Sequence, residues 1–586
     1  MFRGAQRRAY LVPLGLVRVA SSRCATLWGA ERFRRGTRSR CGCRRHHRRQ
    51  PQGQGRPKTE CRGQTETSLV GNQRVTHLTT RNDHEPIVVD RLVSQLTLVD
   101  WELRGDRDAV ISGVEYDSRQ VSAGDLFCCI PGLSSDGHDF AQEAANAGAA
   151  ALLVERWIDG GPAAALPQIK APAPRLAMAD LACIYYGHPS RSMKVAGITG
   201  TNGKTSTAFM TESILRHAGF VTAVVGTVET RIAGVVEPAG RTTPESPDLQ
   251  ELFWRMSVAG VEAVAIEVSS HALELERTAG TEFAVAVFTN LSQDHLDFHR
   301  TMEDYYCSKR KLFERGLAGP AVLNADDPWA VRISEELPGL DAITYSLEPS
   351  RNASLVARDV SYSSEGAEFV IDGAMGSWPV KLAIPARFAI SNALAAAGVA
   401  LALGVDGSSV AGGLSAIRSI PGRFEPVRRG QPFLVVVDYA HTPDAVASVL
   451  SSARSRVSEG GRLHVVIGCG GDRDRAKRPL MARAAVDGSD MAYLTSDNPR
   501  SEDPREILEE MLTGLGPDDG DSYAIEVDRR GAIGEAIRSA RPGDVVVIAG
   551  KGHESGQTAG GETIPFDDRV VAGEELEHLG YCEVGN

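Results

Sequence analysis

Residues 197–207 read GITGTNGKTST, and the reading of this stretch decides the fold. A lead-in of Lys194, Val195 and Ala196 precedes it, and a helical pattern from about Ala208 to His217 follows. Strand, glycine-rich turn and helix together make a phosphate-binding loop. Backbone N–H groups of the turn and helix start face phosphate oxygens, Lys204 adds a point charge, and the Thr205 hydroxyl can hold Mg²⁺. The fit to GxxxxGK[ST] has one departure, because Ile198 stands at the first glycine position. With Gly200 and Gly203 ahead of Lys204, a nucleotide phosphate site is expected over an ordinary strand-to-helix turn. The loop says what is bound, not which chemistry follows.

Working outward, 586 residues are enough for several domains. Gly, Ala and Val are plentiful and aromatics make up 6%, which favours parallel α/β architecture over a β-sandwich. The longest apolar run, Ala393 to Val405, is too short to cross a bilayer and reads as a buried helix. The net charge of −11 conceals a basic leader: residues 1–60 carry 16 Lys/Arg against two acids, leaving about −25 on the rest. So acidic a body excludes general affinity for nucleic acid. Four of the ten cysteines lie in the leader and the others are scattered, without a pairing framework or metal-site spacing. That usage implies a reducing compartment, so a cytoplasmic location is expected, with no membrane partner.

Residues 1–85 lack hydrophobic periodicity and are expected to be a disordered basic leader. No Met occurs between Met1 and Met178, so a start near residue 85 is the favoured reading, with a transit peptide as the alternative. A small α/β domain is expected over 86–192, a central domain over 193–424 and a third α/β unit over 425–586. In the first, Ala123-Gly-Asp125 reads as a turn and Gly132–Gly137 as a small polar loop. In the centre, strands are expected at 221–228, 261–268, 284–289 and 321–323. Beyond their carboxyl ends lie Glu267, then Ser269-Ser-His271, then Asn290 to Asp297, then Asn324. Ligands of doubly wound sheets sit at that edge, and a carboxylate there can hold the Mg²⁺ of a nucleotide. Lys309, in an expected helix 303–312, reads by itself as a solvated lysine. In the third unit, strands at 433–437, 463–467, 491–495 and 544–548 run into polar loops, where Arg473 and Arg500 suit carboxylate recognition.

Taken together, TGTNGKT at 199–205, EVSSHAL at 267–273, TNLSQDHLDFH at 289–299, PGRFE at 421–425, DYAHTPD at 438–444, GCGGDRDRAKRP at 468–479, DNPR at 497–500 and GKGHE at 550–554 resemble the Mur ligase family, MurE type. The resemblance covers roughly residues 90–580. It implies three α/β domains: a UDP-gripping one, a P-loop ATPase with a parallel sheet, and a Rossmann-like one bringing the amino acid. It implies ATP-dependent addition of meso-2,6-diaminopimelate to UDP-N-acetylmuramoyl-L-alanyl-D-glutamate through an acyl phosphate, releasing ADP and phosphate. A monomer working on small-molecule substrates is expected.

Carried over position by position, Gly200, Thr201, Asn202, Gly203, Lys204, Thr205 and Ser206 would hold the ATP phosphates, and Asn324 and Arg423 would also touch ATP. Thr205 and Glu267 would share one Mg²⁺, and His295 a second metal. Lys309 matches the family lysine that becomes carbamylated, which displaces the solvated reading. Tyr116, Ser118, Leu133, Ser134 and Ser135 match uridine contacts; Thr242, Thr243, Ser269 and Arg277 match the muramoyl-dipeptide. Arg473, Asp497, Asn498, Pro499, Arg500, Gly550 and Glu554 match the diaminopimelate pocket, in which Arg500 would pair with the distal carboxylate that lysine lacks. Leu275 departs from the family pattern, where many members have Gln. Folylpolyglutamate synthase shares the ATP site but not the segment 116–140 or DNPR. A catalytically silent plastid relative should have lost some of Lys204, Glu267, His295, Lys309 and Arg500, all present here.

Overall fold

The computed structural model describes residues 84–132, 135–363 and 366–582; the expected leader up to residue 83, with Leu133 and Ser134, lies outside them. The first sheet has five strands, in the order Glu102–Arg104, Gln168–Lys170, Ala151–Val154, Asp125–Cys128, Gly113–Glu115. It is parallel except at Glu102–Arg104. Alternate residues of its middle strands serve opposite faces. Leu126, Cys128 and Leu153 pack with Ala177, Met178 and Leu181 of helix Pro174–Tyr185. Phe127, Leu152 and Val154 pack with Ala141 and Ala144 of helix Ala141–Ala147.

Eleven strands form the central sheet. Seven are mutually parallel: Thr222–Val225, Ala263–Glu267, Lys194–Thr199, Val285–Phe288, Ala321–Asn324, Ala342–Ser346 and Leu355–Ser363. Both margins are antiparallel, a feature the sequence reading did not include. The expected strand 221–228 stops at Val225, and a hairpin of Glu229–Ile232 and Val235–Pro238 intervenes before Thr242. Its turn, Ala233-Gly234, has positive φ at both residues, the mirror-image geometry that suits a twisted hairpin. Alanine there is an uncommon choice, so the turn carries no strong sequence signal. On the other margin Gly366–Gly373 and Gly376–Leu382 extend the sheet.

Helix starts follow a legible rule. Asp327-Pro328, Thr442-Pro443 and Asp503-Pro504 each place a side-chain oxygen at the cap, accepting a backbone N–H, with proline at the first helical turn. The apolar run expected as a helix is the helix Arg387–Ala402, with residues 393–400 fully sealed from solvent. It packs against the central sheet and against Ala208 and Phe209 behind the phosphate loop.

The third sheet has the order Glu425–Pro426, Leu434–Asp438, Val545–Ala549, Leu463–Cys469, Met491–Ser496, Tyr523–Ile525, parallel apart from the first short strand. One hydrophobic cluster runs from Ile198 through Ile420 and Phe424 to Val436 and Ile467, so the central and third sheets share a core. Among the described residues no helix is long and apolar enough to cross a membrane.

Candidate active site

The phosphate loop is held by its neighbours rather than by itself. Gly200 has φ +145°, and a Cβ there would fall 1.9 Å from Thr289 Oγ1, so no larger residue fits. Thr201 N donates to the Asn290 carbonyl and Asn202 N to Asn290 Oδ1, each at 2.9 Å. Lys204 Nζ donates to the Gly200 and Thr201 carbonyls at 2.9 Å. Burial pushes the Lys204 pKa down, against the charges of Glu267 and Asp294. The helix Lys204–His217 begins here, so its first N–H groups lack intrahelical acceptors and add positive potential.

Glu267, at the end of the neighbouring strand, is 1% exposed. Its carboxylate accepts from Thr205 Oγ1 at 3.0 Å, Thr227 N at 2.8 Å and Thr227 Oγ1 at 3.2 Å. Gly226 makes the room: a Cβ there would sit 2.1 Å from Glu267 Oε1. Thr242 Oγ1 lies 3.0 Å from Thr227 Oγ1, while Thr243 Oγ1 donates to the Glu267 carbonyl at 2.8 Å and accepts from Ser269 N at 3.1 Å. Arg277 reaches the Thr243 carbonyl at 3.2 Å and Glu245 at 2.8 Å, and burial lowers its pKa.

A hydroxyl and a carboxylate side by side at a phosphate loop are hard oxygen donors that fit Mg²⁺. The other proposed metal set is arranged differently. Lys309 is 1% exposed, donates to the Gly200 carbonyl at 2.8 Å and lies 4.6 Å from the Tyr305 ring centroid. An ammonium is no metal ligand. Burial, and then Lys204, push the Lys309 pKa well below 10.5, towards the neutral amine. His295 flanks the same tyrosine at 6.2 Å, with φ +54° and a pKa lowered by burial to about 3. Among the described residues no three His, Cys, Asp or Glu side chains converge as a metal site.

The loop and the third sheet enclose a cleft of about 270 Å³. Asp294 crosses it, 3.6 Å from both His441 Nε2 and Lys477 Nζ and 3.4 Å from His295 Nε2. Burial raises the Asp294 pKa, but His441, His295 and Lys477 outweigh it and hold the carboxyl well below its usual range. Arg423 Nη2 donates to Thr205 Oγ1 at 2.9 Å, with its guanidinium 4.5 Å from the Tyr439 ring centroid. Asn324 is not part of this lining: its amide donates to the Thr289 carbonyl and accepts from Asp326 N.

Beyond the cleft, the loops 497–500 and 550–554 meet. Asp497 and Asn498 are nearly buried, and Asn498 Nδ2 donates to Glu554 Oε2 at 2.8 Å. Gly550 approaches Asp497 so closely that a Cβ would lie 3.3 Å from its Oδ2. Arg500 has φ +55°; its N–H donates to the Thr558 carbonyl at 2.9 Å and its Nη1 to the Gly471 carbonyl at 2.7 Å. Pro499 closes the turn by accepting from Glu502 N at 3.0 Å. Arg473 is exposed, and its Nη1 donates to the carbonyl of its neighbour Asp472 at 3.1 Å. In the first sheet, Tyr116 Oη donates to Asp248 Oδ2 of the central domain at 2.7 Å, and Ser118 opens a short helix capped by Asp117. Ser135 is exposed and its carbonyl accepts from Gly132 N at 2.8 Å.

Known families match this chain over the regions of its three large sheets: "Mur ligase family, catalytic domain" over 110–186, "Mur ligase middle domain" over 198–400 and "Mur ligase, glutamate ligase domain" over 422–552. A UDP-N-acetylmuramoyl-L-alanyl-D-glutamate--2,6-diaminopimelate ligase of Syntrophomonas wolfei is 44% identical over 489 residues, 83% of this chain and 98% of that one. The chain belongs to the Mur ligase family. A ligase of the same name from Streptomyces avermitilis is 45% identical over 483 residues, covering 80% of this Mur ligase and 94% of that protein. A solved structure bearing that name superposes with a TM-score of 0.60 at 31% identity, over 85% of this chain and all of that one. A folylpolyglutamate synthase of Mycobacterium tuberculosis shares the fold, with a TM-score of 0.52 at 20% identity over 69% of this chain and 95% of that one.

Several residues of this Mur ligase reach the cleft without having been singled out as site residues: Thr227, Asn290, Asn392, Asp438, Tyr439 and His441. Tyr439 and His441 lie in a stretch that was legible as a strand-end loop. Thr227 and Asn392 carry no such signal, because a hairpin and a buried helix bring them in.

Proposed function

We propose that the chain is an ADP-forming ligase that joins meso-2,6-diaminopimelate to UDP-N-acetylmuramoyl-L-alanyl-D-glutamate. What carries the reading is likeness at 44–45% identity along nearly the whole length of ligases with that name. A carboxylate is a poor electrophile, so activation comes first. A D-glutamate carboxylate oxygen attacks the γ-phosphorus of ATP, the bond to the β-phosphate oxygen breaks and ADP leaves. The diaminopimelate nitrogen then attacks the acyl carbon, loses a proton, and phosphate departs with its oxygen.

Each step has residues suited to it. Lys204 and the N–H groups of Gly203 to Ser206 would draw charge from the β- and γ-phosphates. Thr205 and Glu267 would hold Mg²⁺, which supplies further charge neutralisation during phosphoryl transfer. Arg423 stands at the same hydroxyl. A neutral Lys309 amine can take up CO₂ as a carbamate, which would turn it into an oxygen donor beside His295. Thr242, Thr243, Ser269 and Arg277 would receive the dipeptide, Tyr116, Ser118 and the 133–135 loop the uridine end, and the 497–500 and 550–554 loops with Arg473 the amine. The domain division at 86–192, 193–424 and 425–586 assigns one sheet to each substrate. Six free cysteines among the described residues suit action in the cytoplasm, and a monomer suffices for the chemistry.

The test is phosphate release from ATP with the muramoyl-dipeptide, comparing diaminopimelate with lysine. Release should require the dipeptide and favour diaminopimelate. Equal rates with lysine would remove the assigned amine, and no release with either would remove the ligase reading.

A further inference from the structure

Lys551 is the most thoroughly enclosed lysine beside the amine pocket: its side chain is 0% exposed. Burying an ammonium is expensive unless every donor finds an acceptor. Here Nζ lies 2.7 Å from the Gly556 carbonyl, 3.1 Å from Glu554 Oε2 and 3.2 Å from Asn498 Oδ1, with Asp497 Oδ1 at 3.8 Å. Those partners come from three segments: the loop after strand Met491–Ser496, the loop after strand Val545–Ala549, and the hairpin Gly556–Ala559/Glu562–Pro565. The hairpin in turn fixes Arg500, through Thr558 O accepting from Arg500 N at 2.9 Å and Gly560 N donating to Arg500 O at 2.6 Å. Asn498 Oδ1 accepts from Thr558 N as well as from Lys551, so one oxygen ties loop, hairpin and lysine together.

We propose that Lys551 is a positioning residue for the amine substrate, pinning Asn498, Glu554 and the hairpin behind Arg500 in a single geometry. This rests on the ligase reading above. Lys551 touches no substrate; it acts through the groups that would. With the buried Arg529, Lys551 also supplies positive charge that offsets the repulsion between the Asp497 and Glu554 carboxylates. Burial raises the Asp497 pKa, and Arg529 and Lys551 pull against that rise. The ATP cleft includes none of Lys551, Asn498 or Glu554 in its lining, so loss of Lys551 should fall on one substrate only.

The experiment compares Lys551→Met with the unaltered full chain, measuring KM for diaminopimelate, ATP and the muramoyl-dipeptide by phosphate release. The expected result is a diaminopimelate KM raised at least about tenfold, with the other two within about twofold, the size of one lost charge-assisted hydrogen bond. A loss merely of folding would lower the active fraction and leave all three KM values alone. If Lys551→Met shows no cooperative thermal transition, the charge-balanced Lys551→Met/Glu554→Gln protein is compared with Glu554→Gln. A further severalfold rise in diaminopimelate KM supports the proposal, because the ties to Asn498 and Gly556 are also gone. Equal diaminopimelate KM values in either comparison overturn it. An unaltered chain that releases no phosphate with diaminopimelate would instead sink the ligase reading itself.

Discussion

Arg423 donates a 2.9 Å hydrogen bond to the hydroxyl of Thr205, 218 positions earlier in the chain. Thr205 in turn donates to Glu267 at 3.0 Å. The segment linking the central and third sheets therefore places a guanidinium on a hydroxyl in the first turn of the helix that follows the phosphate loop. Domain arrangement and nucleotide site are coupled through one oxygen.

Replacing Arg423 by Met should raise the KM for ATP roughly 10- to 100-fold, as expected for a lost charge-assisted hydrogen bond. The KM for diaminopimelate should hold. Steady-state kinetics with each substrate varied in turn decides this, and an unchanged ATP KM would dissociate Arg423 from the nucleotide.

Lys309 is a buried amine shifted towards neutrality, and among the described residues its hydrogen-bond acceptor is the Gly200 carbonyl alone. Lys309→Ala should lose most phosphate release and regain part of it when formate or acetate is added, since a small carboxylate can enter the space left. No response to any short carboxylic acid would leave Lys309 as a structural donor to the loop.

Arg500 stands on a left-handed backbone held by the 556–565 hairpin, the placement from which it would meet the amine substrate. Arg500→Ala should raise the diaminopimelate KM by about two orders of magnitude, with the ATP KM nearly unchanged and less preference over lysine. Equal increases for ATP and diaminopimelate would argue against this pocket.

Glu502 makes two hydrogen bonds with the buried Arg478 guanidinium, at 2.8 and 2.9 Å, which bring its pKa from 4.5 down to about 2. A carboxyl with a folded pKa below its unfolded value stabilises the fold above about pH 4.5 and loses that contribution as pH falls towards 2. The difference in Tm between the native chain and Glu502→Gln should thus be widest near neutrality and shrink through that window. Thermal melts across pH check it; a constant gap would mean that the ion pair is not what Gln removes.

Much of the fold was legible because parallel strands buried on both faces read as apolar runs ending in polar loops, as at Ala263–Glu267 and Leu434–Asp438. The Asp-Pro and Thr-Pro helix starts have an equally local cause, although no helix start was read from them in the sequence. The antiparallel margins were not legible, since Ala233-Gly234 gives a weak turn signal and residues 366–382 expose one face. Lys309 reads from its surroundings in sequence as a surface helix lysine, and only the packing of helix Met302–Glu314 under the phosphate loop seals it from water.

By itself the sequence determined the parallel strands around the phosphate loop and in the third sheet, with the polar loops at their ends, because propensity and glycine geometry act over a few neighbouring positions. Only the tertiary structure decided which of those loops share a hydroxyl, a carboxylate or a buried lysine. Thr205 with Arg423 and Asp294 with Lys477 meet across sheets, and Lys551 with Asn498 across two loops of one sheet, through burial and charge pairing. Those forces depend on distance in space, and separation along the chain does not record it.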